Sequence, residues 1–451
     1  MPSTSAKRPP VSLGQDISLD PFPRKSPTPL SPRILVVGGG VTGLVTSWVL
    51  LDLGYRVTIV AKEWASYTSK QRLTSQIAGA LWEYPPAVCG QHSDPISLEH
   101  SKEWSLLSYD VWTAIAENPQ LAKAAGVRMR RSDFFFRTRL EADPGQFKKM
   151  QEIKNSRIKG FVRGKHLIRS RGINPAFPVE DAYEMRVPVI DTDRAMAWLK
   201  QLVRGKGATF VTETITGDLL PQEDFLRAKY DADVIVNATG LAAAELAADE
   251  TCYPIRGALL RVINDGRDFP KINDALAISA DAVNEIIFIV PRNDNILLLG
   301  GCAEPHQWNL DCTLDTPIVK RMRDRCEIFL PQLKNARLDP EYPLAQGLRP
   351  FRAQNVRVER ELREKDVSSH VYLTGQPTVS RIIHSYGQGG AGWSLSFGCA
   401  GDVALFVEEA LLDLPPKDMT KRLEKVAESH VGFYGNGTIR SPGQIQFKSM
   451  M

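Results

Sequence analysis

The stretch Arg381-Ile382-Ile383-His384-Ser385-Tyr386-Gly387-Gln388-Gly389-Gly390-Ala391-Gly392, running on to Gly398-Cys399-Ala400, decides the fold of this chain. An apolar strand leads into a loop where four glycines and an alanine fall within six positions, the composition needed where backbone lies flat against a bulky planar ligand. A second glycine loop stands near the other end. The apolar run Ile34-Leu35-Val36-Val37 precedes Gly38-Gly39-Gly40-Val41-Thr42-Gly43, followed by a helix-like run from Leu44 to Leu53 and a second strand from Arg56 to Ala61. Strand, G-x-G-x-x-G, helix and strand come in that order, with the acid Glu63 twenty residues past the last glycine.

Such a loop brings backbone amides and the positive end of a helix to a pyrophosphate. One glycine loop implies a dinucleotide; the two together imply a flavin. Glu63 is placed to accept hydrogen bonds from an adenosine ribose, with Lys62 able to share the contact, and the alternative for Glu63 is a surface acid in a turn. The segment Arg72 to Trp82 mixes hydroxyls with small residues and suits a loop close to a ligand. Asp233-Val234-Ile235-Val236-Asn237-Ala238-Thr239-Gly240 suits a central parallel strand, buried on both faces, with ligand at its carboxyl end.

The 451 residues suggest two or three domains. A net charge of +4, without a basic stripe interleaved with aromatics, argues against a nucleic-acid partner. The densest basic stretch, Lys148 to Lys165, is interrupted by Gly160 and Gly164 and reads as a solvated loop. Six cysteines (Cys89, Cys252, Cys302, Cys312, Cys326, Cys399) contain no C-x-x-C pair, so no metal site is expected, and reduced thiols in an intracellular compartment are. The terminal Ser449-Met450-Met451 is not a peroxisomal S-K-L address, which favours a cytoplasmic location over a peroxisomal one. No apolar run approaches the roughly 20 residues of a membrane span.

The signature Ile382-Ile383-His384-Ser385-Tyr386-Gly387-x-Gly389-Gly390-x-Gly392, then five residues and Gly398-x-Ala400, closely resembles that of the D-amino-acid oxidase and D-aspartate oxidase family, with Ser385 departing from the usual residue. The resemblance extends to the first glycine loop, to Leu73 through Trp82, to Asp233 through Gly240 and to Gly347-Leu348-Arg349-Pro350-x-Arg352. It implies FAD as cofactor. The positions that match the family's cofactor contacts are Gly38, Gly40, Val41, Thr42, Gly43, Lys62, Glu63, Thr74, Ser75, Gly79, Ala80, Leu81, Ile215, Thr239 and Gly240, with Gly389, Ala391, Gly392, Trp393 and Ser394 in the second loop.

By the same resemblance Arg349 clamps the substrate carboxylate through two charged hydrogen bonds, the alternative being a structural salt bridge, which is the favoured role for Arg352. The carbonyl of Gly390 falls to the substrate amine, and His384 is expected to be structural. Phe288, in Phe288-Ile289-Val290-Pro291, stands where the family has a tyrosine whose hydroxyl also meets the carboxylate. Its absence removes a contact of about 1 kcal/mol. Val290 is grouped with Phe288 as a specificity residue, and Asn284 falls where some members carry a lid tyrosine. Glu83 follows Trp82 where mammalian members have glutamine; as a pocket acid it would favour basic side chains over D-aspartate, and a surface salt bridge is the alternative.

The implied fold is α/β, a doubly wound Rossmann-like FAD domain interleaved with an antiparallel-sheet substrate domain. A proline-rich disordered leader is expected over 1–32, the FAD domain over 33–84, 192–255 and 346–412, the substrate domain over 85–191 and 256–345, and a tail over 413–451. Helices are expected at Ser97 to Ala125, Thr192 to Gly205 and Asp402 to Leu412. The implied activity is oxidative deamination of a D-amino acid: hydride passes from Cα to the flavin, the imino acid hydrolyses to a 2-oxo acid and ammonia, and O2 becomes hydrogen peroxide. Partners are then a small amine-bearing carboxylate and O2, with no nucleic acid or membrane; a homodimer is open. Alternatives are an amine or imino-acid oxidase of secondary metabolism, its pocket reshaped by Phe288, Glu83 and the segment Glu141 to Lys165, and a non-catalytic flavin-binding homologue.

Overall fold

A computed structural model describes residues 9–68, 71–87, 92, 94–278, 286–363 and 379–416. The chain runs β1 (Arg33–Val37), α1 (Val41–Asp52), β2 (Arg56–Ala61), α2 (Thr74–Ile77), α3 (Pro95–Glu117), α4 (Pro119–Ala125), β3 (Val127–Phe136), α5 (Pro144–Asn155), β4 (Lys159–Arg163), α6 (His166–Ser170), β5 (Asp181–Ile190), α7 (Thr192–Gly205), β6 (Thr209–Thr212), α8 (Glu223–Lys229) and β7 (Val234–Asn237). It continues α9 (Ala243–Leu246), β8 (Cys252–Ile263), β9 (Ala275–Ile278), β10 (Ile287–Pro291), β11 (Ile296–Gly300), β12 (Glu304–Pro305), α10 (Pro317–Phe329), β13 (Leu344–Arg352), β14 (Arg357–Arg360), β15 (Ile382–Tyr386) and α11 (Gly392–Leu411).

Two sheets result. The first has the order β14-β15-β7-β1-β2-β6, parallel except for β14. Its central strands are apolar on both faces because helices cover both: Ile34 and Val36 join the core under α1, α7 and α11, while Leu35 and Val37 join a second core with Leu226 of α8. The second sheet has the order β12-β8-β11-β10-β9-β3-β5-β4, with β13 also on β8, and is antiparallel apart from the β3–β9 pair. The fold is therefore α/β, a doubly wound sheet beside a second, largely antiparallel one.

Several expectations are corrected. The leader is ordered from residue 9: Val11 and Ile17 are buried in the same core as Trp48, and Pro9 lies where a side chain on Gly401 of α11 would be. Asp52 at the end of α1 holds this segment by accepting from the backbone N–H of Ser18 (2.7 Å) and Arg24 (2.9 Å). Seven prolines between residues 9 and 32 restrict the unfolded chain, so ordering the segment costs less entropy than its low apolar content suggests. The helix expected over Ser97 to Ala125 breaks at Asn118, whose side chain accepts from Gln120 and Leu121 N–H and starts α4 with Pro119 at its first position. The supposed solvated loop over Lys148 to Lys165 is most of α5 and all of β4, and Lys149 is buried. The last helix begins at Gly392, ten residues before Asp402. Its Gly398 serves helix packing, because a Cβ there would lie 2.1 Å from Trp104 Cα in α3. The tail from residue 417 onward, with Ser449-Met450-Met451, and Cys89 lie outside the described residues.

Candidate active site

One cavity of about 950 Å³ runs between the two sheets. Its floor on the first sheet is the carboxyl end of β1, where Gly38 has φ +125° and a Cβ would fall 2.3 Å from the carbonyl oxygen of Ala238 at the end of β7. The wall continues through Gly40, Val41 and Thr42 at the start of α1 and Lys62 and Glu63 after β2, both exposed at the cavity rim. Thr74, Ser75, Gly79, Ala80, Leu81, Ile215, Thr239 and Gly240 line it as well. Ser75 staples three elements here: its Oγ accepts from Val41 N–H (3.0 Å) and its carbonyl accepts from Trp393 Nε1 (2.8 Å). Ala80 holds a left-handed φ of +49°, a local strain kept in place where its carbonyl accepts from Ile190 N–H (3.0 Å). From the second glycine loop Gly389, Gly390, Gly392 and Trp393 reach the cavity, and Gly389 N–H donates to Pro350 O (2.9 Å), which fixes that loop beside Arg349.

Four predicted residues do not line it. A Cβ on Gly43 would lie 2.0 Å from Gly38 O, so this glycine lets α1 approach β1 rather than meet a ligand. Ala391 and Ser394 are buried at the start of α11, since the loop becomes helix sooner than its composition suggests. Val290 is buried against Val189 and Ala275, beneath Phe288.

Arg349 faces the cavity at its second-sheet end. Its guanidinium lies flat on Gly257, where a Cβ would come within 2.4 Å of Cζ and both terminal nitrogens. Nη1 donates to Cys302 O (3.1 Å), and among the described residues no carboxylate pairs with it. Enclosure by protein pushes its pKa down from the ordinary arginine value, which leaves a cation whose natural complement is a ligand's carboxylate. Arg352, by contrast, pairs with Asp249 at 2.7 Å and is structural. Phe288 lines the cavity with its ring against Gly79, where a Cβ would be 2.4 Å away.

His384 lies off the cavity. It is fully buried, with Nε2 3.1 Å from Glu361 Oε2 and Nδ1 3.3 Å from Asn237 Nδ2. Burial pushes its pKa down to about 4, so it is neutral, donates to Glu361 and accepts from Asn237. Asn237 Oδ1 in turn accepts from Thr239 Oγ1 (2.7 Å), so the histidine holds the end of β7 in shape.

Glu83 also lines the cavity, but not as a lone acid: Lys149 Nζ donates to its Oε1 at 2.9 Å and to Pro86 O at 2.8 Å. Sequence reasoning missed Lys149, together with Gln146, Gly257, Ala277 and Gln388 on the cavity wall. The buried Lys149 amid otherwise exposed basic residues left no signal in composition; the apolar spacing Phe147, Met150, Ile153 was the signal for its helix. Asn284 lies outside the described residues.

The residues present fit FAD. Backbone around Gly38 to Thr42 and the amino end of α1 suit a pyrophosphate, Glu63 and Lys62 stand at the far end for a ribose, and Gly389 to Trp393 lie toward Arg349. No helix among the described residues is long and apolar enough to cross a membrane.

Residues 33–405 match the family model described as FAD dependent oxidoreductase. The chain is 32% identical over 377 residues to a D-amino-acid oxidase of Streptomyces coelicolor, covering 82% of this chain and 95% of that one. It is 26% identical over 388 residues to the D-aspartate oxidase of Homo sapiens, covering 84% and 95%. Among solved structures, FAD-bound L-alpha-glycerophosphate oxidase from Mycoplasma pneumoniae superposes with a TM-score of 0.61 at 17% identity, covering 84% of this chain and 95% of that one. Glycine oxidase from Bacillus cereus does so at 0.59 and 16%, covering 86% and 99%.

Proposed function

Because this chain belongs to the family of FAD-dependent oxidoreductases that includes D-amino-acid oxidases, we propose that it oxidises the Cα–N bond of a D-amino acid. The observation that carries this reading is Arg349, a buried-side cation on the cavity wall with no carboxylate partner among the described residues. Its planar fork suits a substrate carboxylate bidentately, which orients the α-carbon toward the loop from Gly389 to Trp393. The carbonyl of Gly390 accepts from the substrate amine in this reading. Bound FAD supplies the two-electron acceptor, which O2 returns to its oxidised form with release of hydrogen peroxide.

The substrate's Cα gives up a hydride and its nitrogen a proton, and water hydrolyses the resulting imine to a 2-oxo acid and ammonia. No side chain of this site is required to take a proton from carbon, and His384, buried away from the cavity, is not called on. Phe288 contributes apolar contact in place of a second carboxylate donor.

A panel of D-amino acids, with their L-forms and secondary amines as comparators, tests the proposal. The holoprotein should lose its yellow absorbance anaerobically with at least one D-amino acid and form peroxide on readmission of air. Bleaching only by a secondary amine would favour the imino-acid alternative, and bleaching by none would leave a flavin-binding homologue.

A further inference from the structure

The cavity does not end at Arg349 and Phe288. Phe288 of β10 is paired with Ala277 of β9, Ala277 with Phe134 of β3, and Phe134 with Tyr183 of β5, so these four stand in one row across one face of the second sheet. Three strand spacings separate Phe288 from Tyr183, roughly 14 Å. Ala277 lines the cavity, and Tyr183 lies fully buried beneath its far end. Burial first, and then the charge of Glu83, push the Tyr183 phenol well above 10.0, which agrees with Glu83 standing over that end of the row.

Glu83 and Lys149 close this end. Lys149 comes from α5, whose apolar Met150 and Ile153 are buried on the same core as Tyr183 and Trp82. Its side chain is 4% exposed and that of Glu83 16%, and their ion pair is 2.9 Å long. Among the described residues, the other charged ones lining the cavity, apart from Arg349, are Lys62, Glu63, Glu213 and Glu245, all of which belong to the first-sheet side. Among the described residues the substrate end therefore carries one cation for a carboxylate and one internally neutralised pair.

We propose that Glu83 and Lys149 are joint specificity-determining residues, a charge-compensated wall that selects substrates whose side chains are neutral and rejects both anionic and cationic ones. This rests on the D-amino-acid oxidase reading above. A charged side chain reaching this wall meets one attractive and one repulsive partner and loses its water without a net gain. Removing Lys149 takes the ammonium from beside the Glu83 carboxylate, and removing Glu83 takes the carboxylate from beside the ammonium, so each change tips the wall toward side chains of the opposite charge.

Four variants separate this from a packing role: Glu83→Gln, Lys149→Met, both together, and the reversed pair Glu83→Lys with Lys149→Glu. At equal FAD occupancy, kcat/KM is compared for D-alanine, D-aspartate and D-lysine. Glu83→Gln should raise the D-aspartate to D-alanine ratio about tenfold or more, and Lys149→Met should do the same for D-lysine. The double substitution and the reversed pair should return both ratios to near the native ones. Ratios that stay within about twofold in both single variants, or that move in the same direction in both, overturn the proposal; a packing defect would lower all three efficiencies together.

Should the native protein turn over no amino acid, the reading of its activity fails while the wall can still be tested by ligand binding. Butanoate, succinate and 4-aminobutanoate present the same carboxylate with a neutral, anionic and cationic far end, and their dissociation constants follow from perturbation of the bound flavin's absorbance. Native protein should prefer butanoate, Glu83→Gln should gain for succinate, and Lys149→Met for 4-aminobutanoate. Unchanged order in both variants would overturn the wall independently of turnover.

Discussion

Arg349 and Gly257 act as one unit, because the guanidinium occupies the space a Cβ on Gly257 would need. Arg349→Leu should lower kcat/KM for a carboxylate substrate about a hundredfold or more, equivalent to about 3 kcal/mol, with FAD retained; Arg349→Lys should restore only part. Gly257→Ala should show the same lesion with the arginine still present, mainly as a raised KM, since the added methyl displaces the fork. Steady-state kinetics at matched flavin content check both, and a near-normal leucine variant would rule out the clamp. His384 predicts something different. Its pKa falls from 6.5 when unfolded to about 4 when folded, so the unfolded chain takes up a proton first as the medium is acidified. Stability from this residue is thus present above pH 6.5 and is lost as pH falls toward 4, by at most about 1.4 kcal/mol per pH unit. Glu361 adds in the same direction: burial raises its pKa, but the hydrogen bonds from His384 and Arg363 outweigh that and hold it well below the usual range. His384→Gln should flatten the acid limb of stability, measured by denaturant midpoint against pH, and leave the pH profile of turnover unmoved.

At the scale of elements, α1 is held at both ends by contacts that its own sequence does not announce. At its start Gly40 faces the cavity, with Ser75 Oγ 3.1 Å from where a Cβ would sit. Gly40→Val should purify colourless, and a yellow variant of normal flavin content would show the pyrophosphate lies elsewhere. At its end Asp52 and Lys206 form an ion pair of 2.7 Å with both side chains fully buried, Lys206 also donating to Phe22 O and Trp48 Nε1 to Asp52. Asp52→Ala strands a buried ammonium and frees the backbone of Ser18 and Arg24, which should cost about 3–5 kcal/mol. Denaturant unfolding measures the loss, and limited proteolysis should show new cleavage within 9–32 under native conditions. Combining it with Lys206→Met should recover part of the stability but not the protection.

For the whole molecule, FAD bound in the cavity would be shared by both sheets, since the cavity takes its walls from the carboxyl ends of β1, β2 and β7 and from β9, β10 and β13. Stripping it should lower Tm, and each tenfold rise in free FAD above its dissociation constant should restore about 1.4 kcal/mol; a Tm indifferent to FAD would mean the cavity does not hold it. Much of this was written in the sequence, because local chemistry dictates it: the glycines of the first loop, the continuous apolar runs of β1 and β7, and the helix over Thr192 to Gly205 follow from short-range sterics and periodicity. The class of fold, and the expectation placed on Arg349 in its Gly-Leu-Arg-Pro setting, came instead from the resemblance of several short motifs to one family. What only the tertiary structure decided depends on partners far apart in sequence. Gly43 looks like a ligand glycine until Gly38 is found against it, and the packing role of Gly398 shows only when Trp104 of α3 is found there. The leader looks disordered until Asp52 and Lys206, 154 positions apart, clasp it. Glu83 reads equally as a pocket acid or a salt-bridge partner until α5 brings Lys149 across 66 residues to pair with it at the cavity wall. A charge or a small residue carries the same letter whether or not it is paired, and its energy depends on the neighbour that folding supplies.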